Sequence, residues 1–200
     1  MRVDTTDAAS VDSAVKQVLG RHPEFNVLIA MAGIMRVEDW HEPESFRSSA
    51  ESVITTNVLG PIHLIASSIE HLQAQPAATI ITVSSGLAFT PLKVTPSYNA
   101  SKAAIHMLSE SIRLQLADTS VNIVELQPPA VRTSLLPGQE NSEIAMPLDE
   151  FIAEVMTLLE AQPAAKEIQV ERVKFLRYGE ARGNYDQVVE TLNGSDPHSK

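Results

Sequence analysis

Apolar positions along the chain switch repeatedly between a helical and a strand period. Val11, Ala14, Val15, Val18 and Leu19 recur at i, i+3, i+4, i+7 and i+8 behind the capping run Asp4-Thr5-Thr6-Asp7. That pattern predicts an amphipathic helix ending near Gly20–Pro23. Ahead of it, Met1-Arg2-Val3 reads as the tail of a strand. Phe25-Asn26-Val27-Leu28-Ile29-Ala30 is short and apolar on both faces, as in a strand of a parallel sheet. It closes on Ala32-Gly33, small residues that let a ligand approach the backbone.

Beyond a polar loop at 34–44, a long helix is predicted from about Ser45 to Gln73, with a weak point at Gly60-Pro61. Residues 77–83 form the next strand and end in Ser84-Ser85-Gly86. A helix from about Ser97 to Asp118 leads to a strand at 121–126, which Pro128-Pro129 stops. Residues 132–147 lack periodicity, carry Pro137-Gly138, and read as a long mobile loop of the kind that acts as a lid. A helix at 148–160, a short strand at 168–170, a last helix around Tyr185, Val188, Val189 and Leu192, and a frayed tail at 194–200 complete the chain. Strands alternating with helices in one domain of 200 residues specify an α/β fold with a mostly parallel sheet. Ligands in such sheets bind beyond the carboxyl ends of the strands, where Gly33, Ser84–Gly86 and Pro128–Thr133 all fall.

Composition narrows the chemistry. The formal net charge of −10 argues against a nucleic-acid surface or attraction to anionic lipid. With no cysteine, disulfides, thiolate catalysis and cysteine-ligated zinc are excluded. The six histidines form no His-x-x-x-His pair, so no metal site is expected. No apolar run is read as reaching membrane-spanning length, and the first residues lack the apolar centre of a signal peptide. The expectation is a cytoplasmic protein with no membrane or nucleic-acid partner.

Tyr98 and Lys102 stand four residues apart at the start of a periodic helix, so they share one face. A cation beside a phenol favours the phenolate, so Lys102 is expected to lower the Tyr98 pKa and make it a usable general acid or base. Ser85, at the end of a buried strand, has a hydroxyl that reaches the crevice and can bind a substrate oxygen. Ser84 reads as a turn-forming serine.

These residues carry a resemblance. From Asn26 to Thr133 the chain resembles the short-chain dehydrogenase/reductase superfamily: Ser85 lies thirteen residues before Tyr98-x-x-x-Lys102, and Asn57 lies in Thr55-Thr56-Asn57-Val58-Leu59-Gly60. The phrases Val83-Ser84-Ser85-Gly86-Leu87-Ala88-Phe89 and Glu125-Leu126-Gln127-Pro128-Pro129-Ala130-Val131 are most similar to its DltE-type branch. The resemblance implies a Rossmann-like doubly wound sheet. It implies an NAD(P)-dependent oxidoreductase that moves a hydride between nicotinamide and a carbonyl or alcohol substrate. Tyr98 would be the proton donor or acceptor, Lys102 would hold the nicotinamide ribose, Ser85 would position the substrate oxygen, and Asn57 would anchor a water beside the lysine. Around the cofactor it places Asp4 at the adenine, Ala32 and Gly33 after the first strand, and Pro128, Val131 and Thr133 near the nicotinamide. It also implies a homodimer or homotetramer built through the helices at 45–73 and 97–118.

Three features depart from the family pattern. Ala30-Met31-Ala32-Gly33 replaces Asn-Asn-Ala-Gly, Pro129 replaces a glycine, and none of the eight glycines forms a Gly-x-x-x-Gly-x-Gly turn after a strand. The first strand, the glycine-rich turn and the second strand are therefore expected to be absent, which leaves Val27–Ala30 as an exposed edge. The alternative reading is a non-enzymatic relative that serves as a dimerisation or interaction module. A serine hydrolase is disfavoured because Gly-x-Ser-x-Gly is lacking.

Overall fold

The computed structural model describes residues 1–195. Four parallel strands, β1 (Val27–Ala30), β2 (Ala78–Val83), β3 (Val121–Gln127) and β4 (Glu167–Gln169), lie side by side in chain order. The expected α/β architecture is thus the one observed. Helix α1 (Ala8–Arg21) is capped by Asp7, whose carboxylate accepts the Ala9 N–H at 3.0 Å. Met1–Val3, expected as a strand tail, has no regular structure and no strand beside it to pair with.

Helices α2 (Pro43–Ile54) and α3 (Gly60–Gln73) are continuous through a π-helical turn at Thr55–Leu59. The weak point read at Gly60-Pro61 is this turn. Pro61 has no N–H for the helical ladder, and the Gly60 N–H reaches five residues back to the Thr55 carbonyl. The combined run Pro43–Gln73 has 31 residues, and by length and composition it is apolar enough to cross a membrane, which corrects the sequence expectation. In the fold its α3 half packs on the sheet, and the run buries Val53, Asn57, Ser68 and Leu72.

Alternation along the strands builds two cores. On one face Leu28, Ile80 and Ile123 pack under α3 and under α4 (Pro96–Gln115). On the other, Ile81, Val124 and Ile168 pack under α5 (Leu148–Ala161). The strands of this parallel sheet are covered on both faces only from β2 onward. At the β1 edge, Val27 and Ile29 point to the α5 side and are 45% and 51% exposed. The expected edge strand is therefore present, and it is buried on one face, not two.

A third core of Met35, Val53, Leu92, Tyr98 and Leu136 sits beyond the carboxyl ends of the strands. The short α6 (Lys174–Arg177) and α7 (Tyr185–Ser195) pack alongside it; residues 196–200 of the expected frayed tail lie outside the described residues. The loop read as a mobile lid is pinned. Leu136, Ala145 and Met146 are buried, Val131 pairs with Met146, and the Arg132 guanidinium donates to the Ser142 and Ala145 carbonyls.

Candidate active site

Tyr98 and Lys102 leave the first turns of α4, and the residues before that helix explain why it starts there. Pro96 pre-sets the helical backbone at its first turn, and Glu38 reaches across from the segment after β1. The Glu38 carboxylate accepts the Ser97 N–H and the Trp40 indole N–H, both at 3.1 Å, and the Ser49 hydroxyl at 2.7 Å. Burial works to raise its pKa, but these bonds outweigh burial and hold it below the usual carboxylate range. An anion at a helix N-terminus also complements the helix dipole. The segment read as a polar loop thus contributes the brace under the tyrosine.

Both α4 side chains are buried. The Lys102 ammonium donates to the Val83 carbonyl at 2.8 Å and lies 5.4 Å from the centre of the Tyr98 ring. Burial lowers the lysine to about 8. It raises Tyr98 to about 12, with the Ser85 hydroxyl pulling weakly the other way. The expectation that Lys102 depresses Tyr98 is therefore corrected: in this protein without ligand, desolvation dominates both groups and makes each favour its neutral form.

Asn57 occupies the π-helical turn and is 1% exposed. Its carboxamide accepts the Ile34 N–H at 2.8 Å and donates to the Ile34 carbonyl at 2.9 Å and to the Ser101 hydroxyl at 3.0 Å. Ser101 in turn donates to the Tyr98 carbonyl at 2.7 Å. Ser85 caps a short 3₁₀ turn by accepting the Leu87 N–H at 3.1 Å, and with Tyr98 it lines an apolar cavity at the sheet end. Tyr98, Lys102, Ser85 and Asn57 are thus brought to one region.

Two residues that sequence reasoning missed stand directly behind them. Glu125 is wholly buried, takes a short hydrogen bond from the Ser84 hydroxyl, and sits 2.8 Å from His106 Nδ1. Ser84 is therefore more than a turn former. His106 lies one helical turn past Lys102 on the same face of α4, so the pair ties that helix to the turn carrying Ser85. The sequence signal was an acidic residue inside an otherwise apolar strand. Glu167 completes a cluster with His106 and Glu125, the one such group among the described residues; it is already engaged by Gln169 and by Arg177 at 3.2 Å.

The chain matches the family model described as short chain dehydrogenase over residues 1–143. It belongs to that family. It is 36% identical over 196 residues to an uncharacterized oxidoreductase, DltE, of Bacillus subtilis (strain 168), covering 95% of this chain and 76% of that protein. A short chain dehydrogenase from Burkholderia cenocepacia J2315 in complex with NADP superposes with a TM-score of 0.78 at 24% identity, over 96% of this chain and 78% of the other. An NADPH-bound carbonyl reductase from chicken fatty liver gives 0.67 at 25% identity, over 78% and 67% of the two chains. The chain is thus a Rossmann-fold member of an oxidoreductase family.

The residues implied for a dinucleotide divide into two ends. At Gly33 a Cβ would lie 3.3 Å from Asn57 Oδ1 and 3.8 Å from Lys102 Nζ, so the missing side chain keeps an approach to both open. Lys102 has further donors beyond the one it gives Val83. That end fits a hydroxylated group such as the nicotinamide ribose. Ala32 is exposed beside it. Pro128 accepts the Gly86 N–H at 3.0 Å, and Val131 and Thr133 follow in the pinned loop. Asp4 is exposed, its carboxylate turned back on the Thr6 N–H and hydroxyl at 2.9 and 2.7 Å. Among the described residues no glycine turn joins a strand to a helix in the way that holds a pyrophosphate.

Proposed function

We propose that the chain is an NAD(P)-dependent oxidoreductase that interconverts a carbonyl compound and an alcohol. The observation that carries this reading is the Tyr98–Ser85 hydroxyl pair at the wall of a cavity, with the buried Lys102 ammonium behind it. When bound, the nicotinamide supplies the hydride to the carbonyl carbon, or accepts it in the reverse direction. Tyr98 Oη gives the carbonyl oxygen its proton, or takes the proton from the alcohol. Ser85 Oγ donates to that same oxygen and fixes its position. Lys102 and Tyr98 hold the ribose, Ala32 and Gly33 give backbone access, Pro128, Val131 and Thr133 border the carboxamide, and Asp4 stands at the adenine. Asn57 sets the Gly33–Ile34 backbone against Ser101 and so fixes the first turn of α4.

A Tyr98 held near pH 12 is a reluctant acid at neutral pH. Lys102, once engaged by a ribose and charged, favours the phenolate and draws the tyrosine back toward useful values. The exposed apolar side chains Ile54, Leu59 and Ile62 on α2–α3, and Met107 and Leu114 on α4, support pairing of two copies through these helices.

Titration with NADPH and NADH, followed by nicotinamide fluorescence, should give saturable binding. Tyr98→Phe should keep that binding and lose at least about 100-fold in turnover of a carbonyl substrate. No binding at millimolar cofactor, or full turnover in Tyr98→Phe, overturns the proposal.

A further inference from the structure

The cavity that Tyr98 and Ser85 border is walled by side chains from several separate parts of the chain. Met35 comes from the segment after β1, Leu87 and Leu92 from the segment after β2, Leu136 and Ile144 from the pinned loop, and Leu192 from α7. Its volume is about 110 Å³. Among the described residues that line it there is no Lys, Arg, His, Asp or Glu. Gln139 and Ser195 also line it; the Gln139 NH₂ donates to the Val131 carbonyl at 2.6 Å, and the Ser195 hydroxyl is turned back on the Thr191 and Leu192 carbonyls of its own helix at 2.9 and 3.1 Å. The hydrogen-bonding groups at the inner wall are the two hydroxyls of Tyr98 and Ser85, and most of the remaining wall is aliphatic.

That distribution selects by charge and by size. An anionic carboxylate or phosphate placed there would lose its water and find no cation among the described lining residues, a cost of several kcal/mol. An aliphatic body loses nothing and gains burial at about 25 cal/mol per Å². For size, a closed cavity of about 150 Å³ accommodates benzene. This one is somewhat smaller but open at the rim, where Ile144 is 59% exposed, so it takes a compact body of about one six-membered ring whose far side stays at the opening. The pinned loop keeps Leu136 and Ile144 in place, so the wall is built into the fold.

Resting on the reading of Tyr98 and Ser85 as the carbonyl-facing pair, we propose that the substrate is a small, uncharged ketone or aldehyde with an aliphatic or alicyclic body. Its oxygen lies on the two hydroxyls and its body against Leu87, Leu136 and Ile144. Carbonyl acids are rejected because none of the described lining residues offers a cation to the carboxylate.

The test uses the full chain with methyl-labelled Leu, Ile and Met, titrated by NMR with cyclohexanone and, separately, with 4-oxopentanoate, a carbonyl compound of similar size that carries a charge. Cyclohexanone should move the methyl signals of Leu87, Leu136 and Ile144 and bind at least tenfold more tightly than 4-oxopentanoate. Ile144 is 59% exposed at the rim, so Ile144→Lys keeps the fold and should narrow or invert that preference. Equal or tighter binding of 4-oxopentanoate to the parent chain, no cyclohexanone shifts at these methyls, or an unchanged preference in Ile144→Lys overturns the assignment. The same samples receive NADPH. Methyl shifts without NADPH oxidation leave the pocket assignment standing and overturn the hydride-transfer reading, whereas NADPH oxidation with 4-oxopentanoate preferred over cyclohexanone overturns the pocket assignment alone.

Discussion

The side chain of Asn57 binds both backbone polar groups of Ile34, accepting its N–H at 2.8 Å and donating to its carbonyl at 2.9 Å. The arrangement imitates one rung of a β-ladder. It fixes the chain just past β1, where no strand partner remains, and the third bond, to Ser101, carries that order into α4. Asn57→Ala strands the Ile34 pair and the Ser101 hydroxyl in a buried place. The expected loss is about 2–4 kcal/mol, summed over unsatisfied groups at about 1–3 kcal/mol each. Urea denaturation of parent and variant measures it; a loss below about 0.5 kcal/mol means that the bonds are replaced by water.

Lys102 and Tyr98 leave opposite marks on the pH dependence of stability. Lys102 is brought down from 10.5 to about 8 by burial. Between those values the unfolded chain binds a proton that the folded chain has released, so stability rises with pH. Tyr98 is pushed up from 10.0 to about 12 by burial. Its contribution is complete below pH 10 and is lost as pH rises through 12, because the unfolded chain ionises first. Thermal melts from pH 7 to 11 should show the rise ahead of the fall. Lys102→Met should remove the rise, on the order of 3 kcal/mol at about 1.4 kcal/mol per pH unit, and Tyr98→Phe should remove the fall.

How much of this was legible in the sequence depends on the distance over which a residue acts. Strands such as Ile80-Ile81 and Ile123-Val124 announce themselves by local runs, and Ser85, Tyr98 and Lys102 by short spacing along one strand end and one helix face. The braces do not. Glu38 caps a helix 59 residues away, and Asn57 acts through a π-helical turn that no periodicity marks. The Tyr98 pKa was misjudged for a related reason: pairing is visible at i, i+4, but desolvation depends on a third core assembled from five separate stretches. The loop at 132–147 looked free because its anchors, the Val131–Met146 bridge and the Arg132 bonds, are tertiary.

Glu125 and His106 make a stability claim of their own. The carboxylate is fully buried and spends its oxygens on Ser84 and His106. Glu125→Ala leaves the Ser84 hydroxyl and His106 without their buried partner and should cost about 2–5 kcal/mol, at about 1–3 kcal/mol for each unsatisfied group. Glu125→Gln keeps the shape, its carboxamide oxygen still accepts from one partner and its NH₂ donates to the Ser84 oxygen or the His106 ring nitrogen at the other, and it should cost less than half of that. Denaturant midpoints for the two variants settle the ordering, and equal losses would mean that volume, not hydrogen bonding, sets the requirement.

The β1 edge should govern self-association. Val27 and Ile29 on β1 and Met31 just after it are exposed, and Leu148, Ile152 and Met156 are exposed on α5, so apolar side chains flank a strand that forms the edge of the described sheet. Such an edge is a template for pairing with another chain. Ile29 is 51% exposed and packs in neither sheet core, so Ile29→Lys removes little burial and should change stability by no more than about 0.5 kcal/mol. The same lysine places a charge that any second strand docking there must desolvate. Sedimentation velocity across a concentration series should show less high-mass material for Ile29→Lys than for the parent, while the melting temperature stays within about 3 °C. Equal association in both would place the contact elsewhere, on the α2–α3 and α4 faces where Leu59 and Leu114 are exposed, and the paired variant Leu59→Lys, Leu114→Lys would then lower it instead.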